Sequence, residues 1–344
     1  MLYLCTVVRY NNSQLNTNAR TDMNTRCTVL VAALLLMLTS ATKSWAERFV
    51  FITSWKAQAQ FAGYYAAYEQ GFYRDAGLQV EIQHPSLTSS VLNRVKSQEC
   101  DAAMFSLMSA MDFISQGFQL VNIFQESMNS SNMLISRWDT DPLKMKGKKV
   151  AIFNSDPNYL AYILDNREET HYEWIPFTSG INLFLSGAVD ATMVVSYNEY
   201  YQLKQAGFKL KDESVYRFSD HDYNIQETGV YVKRDYYRQH RSACEQFAKA
   251  SRRGWEWVAQ HPKEALDIVM KYVRKDNSPT NRLMQKMMLE ECLRLQVDKD
   301  TGKREYRVRR DMVEKASRMM MACKLIARPV SYEEVMGEGK GKSE

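Results

Sequence analysis

Three features of this 344-residue sequence predict an α/β fold in two lobes. Strand-like and helix-like stretches alternate from about residue 48 to 206, and the rhythm restarts after Lys146-Gly147-Lys148. A patterned segment also recurs at a fixed offset. Asn93-x3-Ser97-x3-Asp101-Ala102-x-Met104 returns 89 residues later as Asn182-x3-Ser186-x3-Asp190-Ala191-x-Met193. Alternation of this kind predicts mainly parallel sheets covered by helices on both faces. Composition agrees: 45% hydrophobic and 25% charged residues, with a mean hydropathy of −0.44. These values exclude a disordered chain, a collagen-like repeat and a multi-pass membrane protein.

The first 46 residues read as a targeting segment. Residues 28–38 (TVLVAALLLML) are apolar but too short for a spanning helix, which needs about 20 residues. Arg26 precedes them, and Ser44-Trp45-Ala46 supplies the small-x-small pattern of signal-peptide cleavage. Cleavage after Ala46 is expected, with Met23 as the true start. Cys27 precedes the apolar run, so it is no lipobox cysteine and the mature chain is expected to be soluble. Removing four of 45 bases and one of 40 acids leaves a net charge of +2, no footprint for nucleic acid. Cys100, Cys244, Cys292 and Cys323 lack metal-ligand spacing, and no bridge among them is assigned. No cofactor is expected.

The elements follow in order. Residues 48–53 predict a strand, 63–70 a helix ended by Gly71, 78–82 a strand, and 89–97 a helix. Residues 102–105 predict a strand, 108–116 a helix, and 120–124 a strand. In the second unit, strands are expected over 149–153, 172–176 and 191–195. Helices are expected over 159–165, 181–185 and 199–206. From Asp235 onward the pattern is almost wholly helical. The expected division is 47–138 for the first part of lobe 1, 139–228 for lobe 2 and 229–330 for the completion of lobe 1. A disordered polar tail is expected over 331–344. Ligands in such sheets bind beyond the carboxyl ends of the strands.

One stretch carries a family resemblance. It runs Trp55-x7-Gly63-Tyr64-Tyr65-Ala66-Ala67-Tyr68-Glu69-Gln70-Gly71-Phe72-Tyr73, continuing to Gly77-Leu78-x-Val80. It resembles the opening of the NMT1/THI5-like (SsuA/THI5-like) substrate-binding proteins. Further matches follow in order: Lys146-Gly147-Lys148-Lys149-Val150, Phe184-x-Ser186-Gly187-x-Val189-Asp190-Ala191, Tyr197-Asn198-Glu199, Gly254-Trp255 and His261-Pro262. The resemblance implies a type II periplasmic-binding-protein fold and an extracytoplasmic receptor of an ABC importer. Such a receptor is a monomer that docks transiently on a membrane permease. Many members resemble binders of thiamine-precursor pyrimidines; relatives bind sulfonates, nitrate or other small solutes.

Seven residues are candidates for the ligand. Trp55 follows the first strand, where an indole can stack on a flat heterocycle or fill the core. Tyr65 opens the next helix and offers its hydroxyl to a ring nitrogen, or is a buried helix tyrosine. Ser106 ends a strand before a helix and reads as a polar contact or an N-cap. Asn154, with Ser155 beside it, occupies the corresponding place in the second unit. Tyr197, Asn198 and Glu199 follow the apolar strand 191–195, and a carboxylate there can pair with an aminopyrimidine edge or an ammonium. The competing role for Glu199 is a helix N-terminal acid favoured by the dipole. Lys56 is the only base near these positions. Acid plus aromatics favours a neutral or cationic ring over an anion.

The resemblance also covers pyrimidine synthases that use a Lys, a His and clustered cysteines. Aligned on Asp101, that Lys falls on Phe105 and that His on Ser109, and no run of cysteines exists. A binding protein, not an enzyme, is expected.

Overall fold

The computed structural model describes residues 46–85, 90–154 and 158–338. The targeting segment, apart from Ala46, and Ser155 lie outside the described residues. In chain order the strands are β1 (Glu47–Ile52), β2 (Leu78–Gln83), β3 (Ala102–Ser106), β4 (Leu120–Gln125), β5 (Asn132–Ser136), β6 (Lys149–Phe153), β7 (Glu173–Phe177), β8 (Ala191–Val195), β9 (Val215–Arg217) and β10 (Thr228–Lys233). They form two five-stranded sheets, β2-β1-β3-β10-β4 and β7-β6-β8-β5-β9. The helices around the sheets include α1 (Ala62–Glu69), α2 (Leu107–Ser115), α3 (Tyr159–Glu168), α4 (Glu199–Gln205), α5 (Arg241–Gln260), α6 (Pro262–Lys275), α7 (Arg282–Leu295), α8 (Arg310–Ala322) and α9 (Tyr332–Met336).

Each sheet is built on parallel pairs, β1 with β2 and β3, and β6 with β7 and β8. Each also holds one strand running against its neighbours. β10 lies antiparallel between β3 and β4, and β5 lies antiparallel between β8 and β9. These two strands carry the chain from one sheet to the other and back. The alternation pattern missed both, because a short apolar run such as Met133-Leu134-Ile135 has no distinctive period. Two boundaries differ accordingly. Asn132–Ser136 pairs in the second sheet, not in the first lobe as expected, and Thr228 already pairs in the first sheet. Residues 331–338 are also not a disordered tail. Ser331 and Glu334 form a capping box for α9, Val335 is fully buried, and Gly337 turns left-handed against Val121.

The 89-residue echo has a physical basis. The Asp101 carboxylate accepts the Val50 N–H at 2.7 Å, and Asp190 accepts the Lys149 N–H at 3.1 Å. Each aspartate thus ties its strand to the first strand of its own unit. The preceding turns match as well: Gln98 and Gly187, also 89 apart, are both left-handed. Outside the first sheet, α5 crosses α1 at two glycines. A Cβ on Gly254 would lie 2.0 Å from the Gly63 carbonyl oxygen, so only glycine permits this approach. Trp255 fills the adjoining space and is fully buried.

Candidate ligand-binding cleft

The chain crosses between the sheets twice, at 126–131 and again before β10, and the two crossings are bound to each other. The Ser127 hydroxyl accepts the N–H groups of Glu227 and Thr228 at 3.1 and 2.9 Å. The Asn224 side chain accepts the Ser130 N–H at 2.9 Å and donates to the Asn129 side chain at 3.1 Å. At the centre stands the Glu227 carboxylate. One oxygen accepts from the Ser130 hydroxyl at 2.5 Å and from the Asn132 side-chain amide. The other accepts the Ser131 N–H at 2.9 Å and its hydroxyl at 2.6 Å. All four lone-pair directions of the carboxylate are used. Glu227 is therefore a buckle across both crossings.

A cavity of about 190 Å³ opens beside this buckle. The first sheet contributes Ser54, Phe105 and Ser106 at strand ends, and the second contributes Phe153, Val195 and Tyr197. Helix α3 adds Tyr159 and its neighbours, and Gln226, Glu227 and Thr228 form the side nearest the crossings. The lining thus gathers at the carboxyl ends of β1, β3, β6 and β8, where α/β sheets leave room for a ligand. Across the cleft, the Tyr159 hydroxyl donates to Asp112 of α2 at 2.7 Å. Among the described lining residues Glu227 is the single ionisable acid, and none is Lys, Arg or His.

The seven candidates divide. Ser106 and Tyr197 line the cavity. The Ser106 hydroxyl also caps α2, accepting the Ser109 N–H at 3.1 Å, so its two readings hold together. Trp55 does not line the cavity: it is partly buried against the aromatic core of the first lobe, while its neighbour Ser54 reaches the cleft. Tyr65 is fully buried and stacked on Tyr272 at 4.0 Å, with its hydroxyl 3.1 Å from His84. Asn154 is exposed, outside the lining, and its N–H donates to Phe177.

Asn198 and Glu199 also stand outside the lining. The Glu199 carboxylate turns back on its own strand end, accepting the Val195 N–H at 3.2 Å and the Asn198 amide at 2.7 Å. Burial pushes its pKa up to about 7, against the pull of these donors. The helix N-terminal reading of Glu199 is the one its geometry fits. Sequence reasoning missed Glu227, Ser131, Gln226 and Tyr159. A signal was present in the polar runs Ser127–Asn132 and Asn224–Thr228, each lying between strands. Such clusters read as loops, yet Ser130, Ser131 and Gln226 are all buried.

Behind the cleft lies a second, much smaller chamber of about 10 Å³, lined by Glu126, Cys292 and Gln296. It shares Gln60, Ser131, Tyr197, Glu227 and Thr228 with the main cavity. Burial lifts the Glu126 pKa to about 8, so this carboxyl is largely neutral at pH 7.

The fold, two five-stranded sheets joined by paired crossings, matches that of solved periplasmic binding proteins. The periplasmic aliphatic sulphonate-binding protein of Escherichia coli superposes with a TM-score of 0.60 at 13% identity, over 86% of this chain and 95% of that one. The chain belongs to the NMT1/THI5-like family, whose model matches residues 58–265. A formylaminopyrimidine-binding protein of Halalkalibacterium halodurans is 23% identical over 238 residues, covering 65% of this chain and 70% of the relative. A 4-amino-5-hydroxymethyl-2-methylpyrimidine phosphate synthase of Candida albicans is 21% identical over 243 residues, covering 64% and 69%.

Proposed function

We propose that the protein is an extracytoplasmic solute receptor of an ABC importer and that its ligand is a small, neutral or cationic nitrogen ring of the aminopyrimidine class. The observation that carries this reading is the charge of the cleft. Among its described lining residues there is one carboxylate, four aromatic rings (Phe105, Phe153, Tyr159, Tyr197) and no cationic side chain. Aromatic faces suit a flat ring, and the negative charge of Glu227, whose lone pairs the crossing already occupies, favours a neutral or cationic ring over an anion. A sulfonate would meet Glu227 without a compensating base. The formylaminopyrimidine in the name of the Halalkalibacterium relative fits the same chemistry.

A receptor of this kind would dock on a membrane permease. No helix among the described residues is long and apolar enough to cross a membrane. Binding without turnover is the reading for the cleft. The positions that align with a synthase's Lys and His hold Phe105 and Ser109, and Phe105 lines the cavity as an apolar wall.

Calorimetric titration tests the ligand class. 4-Amino-5-hydroxymethyl-2-methylpyrimidine and a formylaminopyrimidine are expected to bind and to raise the melting temperature, while ethanesulfonate and nitrate leave both signals flat. Tight binding of ethanesulfonate with no response to either pyrimidine would overturn the proposal. Release of a pyrimidine product from the purified protein would overturn the receptor reading.

A further inference from the structure

We propose that the small chamber between Glu126 and Gln296 is a second polar subsite, taking one uncharged hydrogen-bonding group of the ligand such as a hydroxyl. This rests on the aminopyrimidine reading above and names a specificity contact within it. Three observations carry it.

The first is continuity. The chamber and the main cavity share five lining residues, Glu227 among them, so a ring seated in the cleft can extend a substituent past the buckle. The second is unmet hydrogen bonding. Oε2 of Glu126 and Nε2 of Gln296 are buried and have no hydrogen-bond partner among the described residues, their residues being only 4% and 1% exposed. The Tyr64 hydroxyl faces the Glu126 carboxyl but does not meet hydrogen-bond geometry. Buried polar atoms are rarely left in this state, because each costs about 1–3 kcal/mol. The third is size. About 10 Å³ is the room of roughly one water-sized atom, which admits a hydroxyl and excludes a sulfonate or a second ring.

The chemistry is complementary. The Gln296 amide offers a donor. A neutral Glu126 carboxyl offers both an O–H donor and an acceptor oxygen, whereas a carboxylate would only accept. A hydroxyl donates once and accepts, so it can satisfy both walls at once.

The test compares two probes that differ by one oxygen, 4-amino-5-hydroxymethyl-2-methylpyrimidine and 4-amino-2,5-dimethylpyrimidine. Titration of the wild type should show the hydroxymethyl probe bound about tenfold more tightly, as expected for one buried hydrogen bond. Gln296→Leu and, independently, Glu126→Leu should abolish that preference while leaving the dimethyl probe within about threefold of its wild-type affinity. Two separate variants guard against one failing to fold, and circular dichroism checks each. Equal affinity of the wild type for both probes would overturn the subsite while leaving the ligand class intact. So would an unchanged preference in a folded variant, which would make the chamber a site for water alone. If the wild type binds neither probe, the ligand class fails and the subsite falls with it.

Discussion

Two turns at the cleft each place a glutamate near a strand end, and they behave in opposite ways. After β8, Glu199 folds back within its own turn: its acceptors are filled by Val195 and Asn198, four and one residues away. Ahead of β10, Glu227 reaches residues 95 to 97 positions distant, closes the two crossings on each other and lines the cavity. The first is a local cap that burial leaves near its protonation midpoint. The second holds the hinge and faces the ligand space. A carboxylate after an apolar strand does not by itself face the cleft: Glu199 finds its donors within its own turn, whereas Glu227 finds them across the molecule and lines the cavity.

Removing the buckle should have the largest effect. Glu227→Ala leaves the Ser130, Ser131 and Asn132 donors without an acceptor, and roughly 2–4 kcal/mol of stability should be lost. The aminopyrimidine probe should then no longer bind, which denaturant melts and calorimetry measure together. A variant as stable and as tight-binding as wild type would erase the distinction between the two turns.

Next comes Glu227→Gln, which keeps the shape but turns one acceptor into a donor facing other donors. The affinity for the hydroxymethyl probe should fall about tenfold, because the loosened buckle disturbs the cleft wall and the cleft loses its negative charge. The same change at Glu199 should leave affinity within about threefold. If titration gives the larger loss at Glu199, the roles of the two turns are reversed.

Trp55→Ala should act on the fold. Its indole packs on the core of the first lobe, so about 1–3 kcal/mol of stability should go, with probe affinity nearly unchanged. Loss of affinity at unchanged stability would return Trp55 to the site.

The smallest effect is a slope with pH. A carboxyl whose folded pKa lies above its unfolded value keeps its proton in the folded state between the two, so rising pH across that interval favours unfolding. For Glu199 the interval runs from 4.5 to about 7, and for Glu126 from 4.5 to about 8. The stability of the wild type should therefore carry a falling component from pH 5 to 8. Glu199→Gln should remove the part that ends near pH 7, and Glu126→Gln the part that ends near pH 8. Melting temperatures for the three proteins at pH 5, 6, 7 and 8 check this; parallel curves would mean that neither carboxyl holds its proton in the folded state.

Sequence alone determined most of the alternating elements between residues 48 and 206, the 89-residue repeat and the ends of the strands it found. Each depends on residues close in the chain. The alternation of apolar positions sets the strands, and Gln98 and Gly187 mark the paired turns. Asp101 and Asp190 open equivalent strands with the same backbone contact. Of the candidate site, Ser106 and Tyr197 were legible because a strand end has a position that local pattern reveals. Tertiary structure alone decided the rest: the antiparallel β5 and β10, the core placement of Trp55 and Tyr65, and the exchange of Glu199 for Glu227 as the acid of the cleft. The physical reason is range. Periodicity reports which face a residue occupies within its own element, whereas Glu227 draws its hydrogen bonds from a crossing nearly a hundred residues earlier. Only the path of the chain between the two sheets brings those donors together.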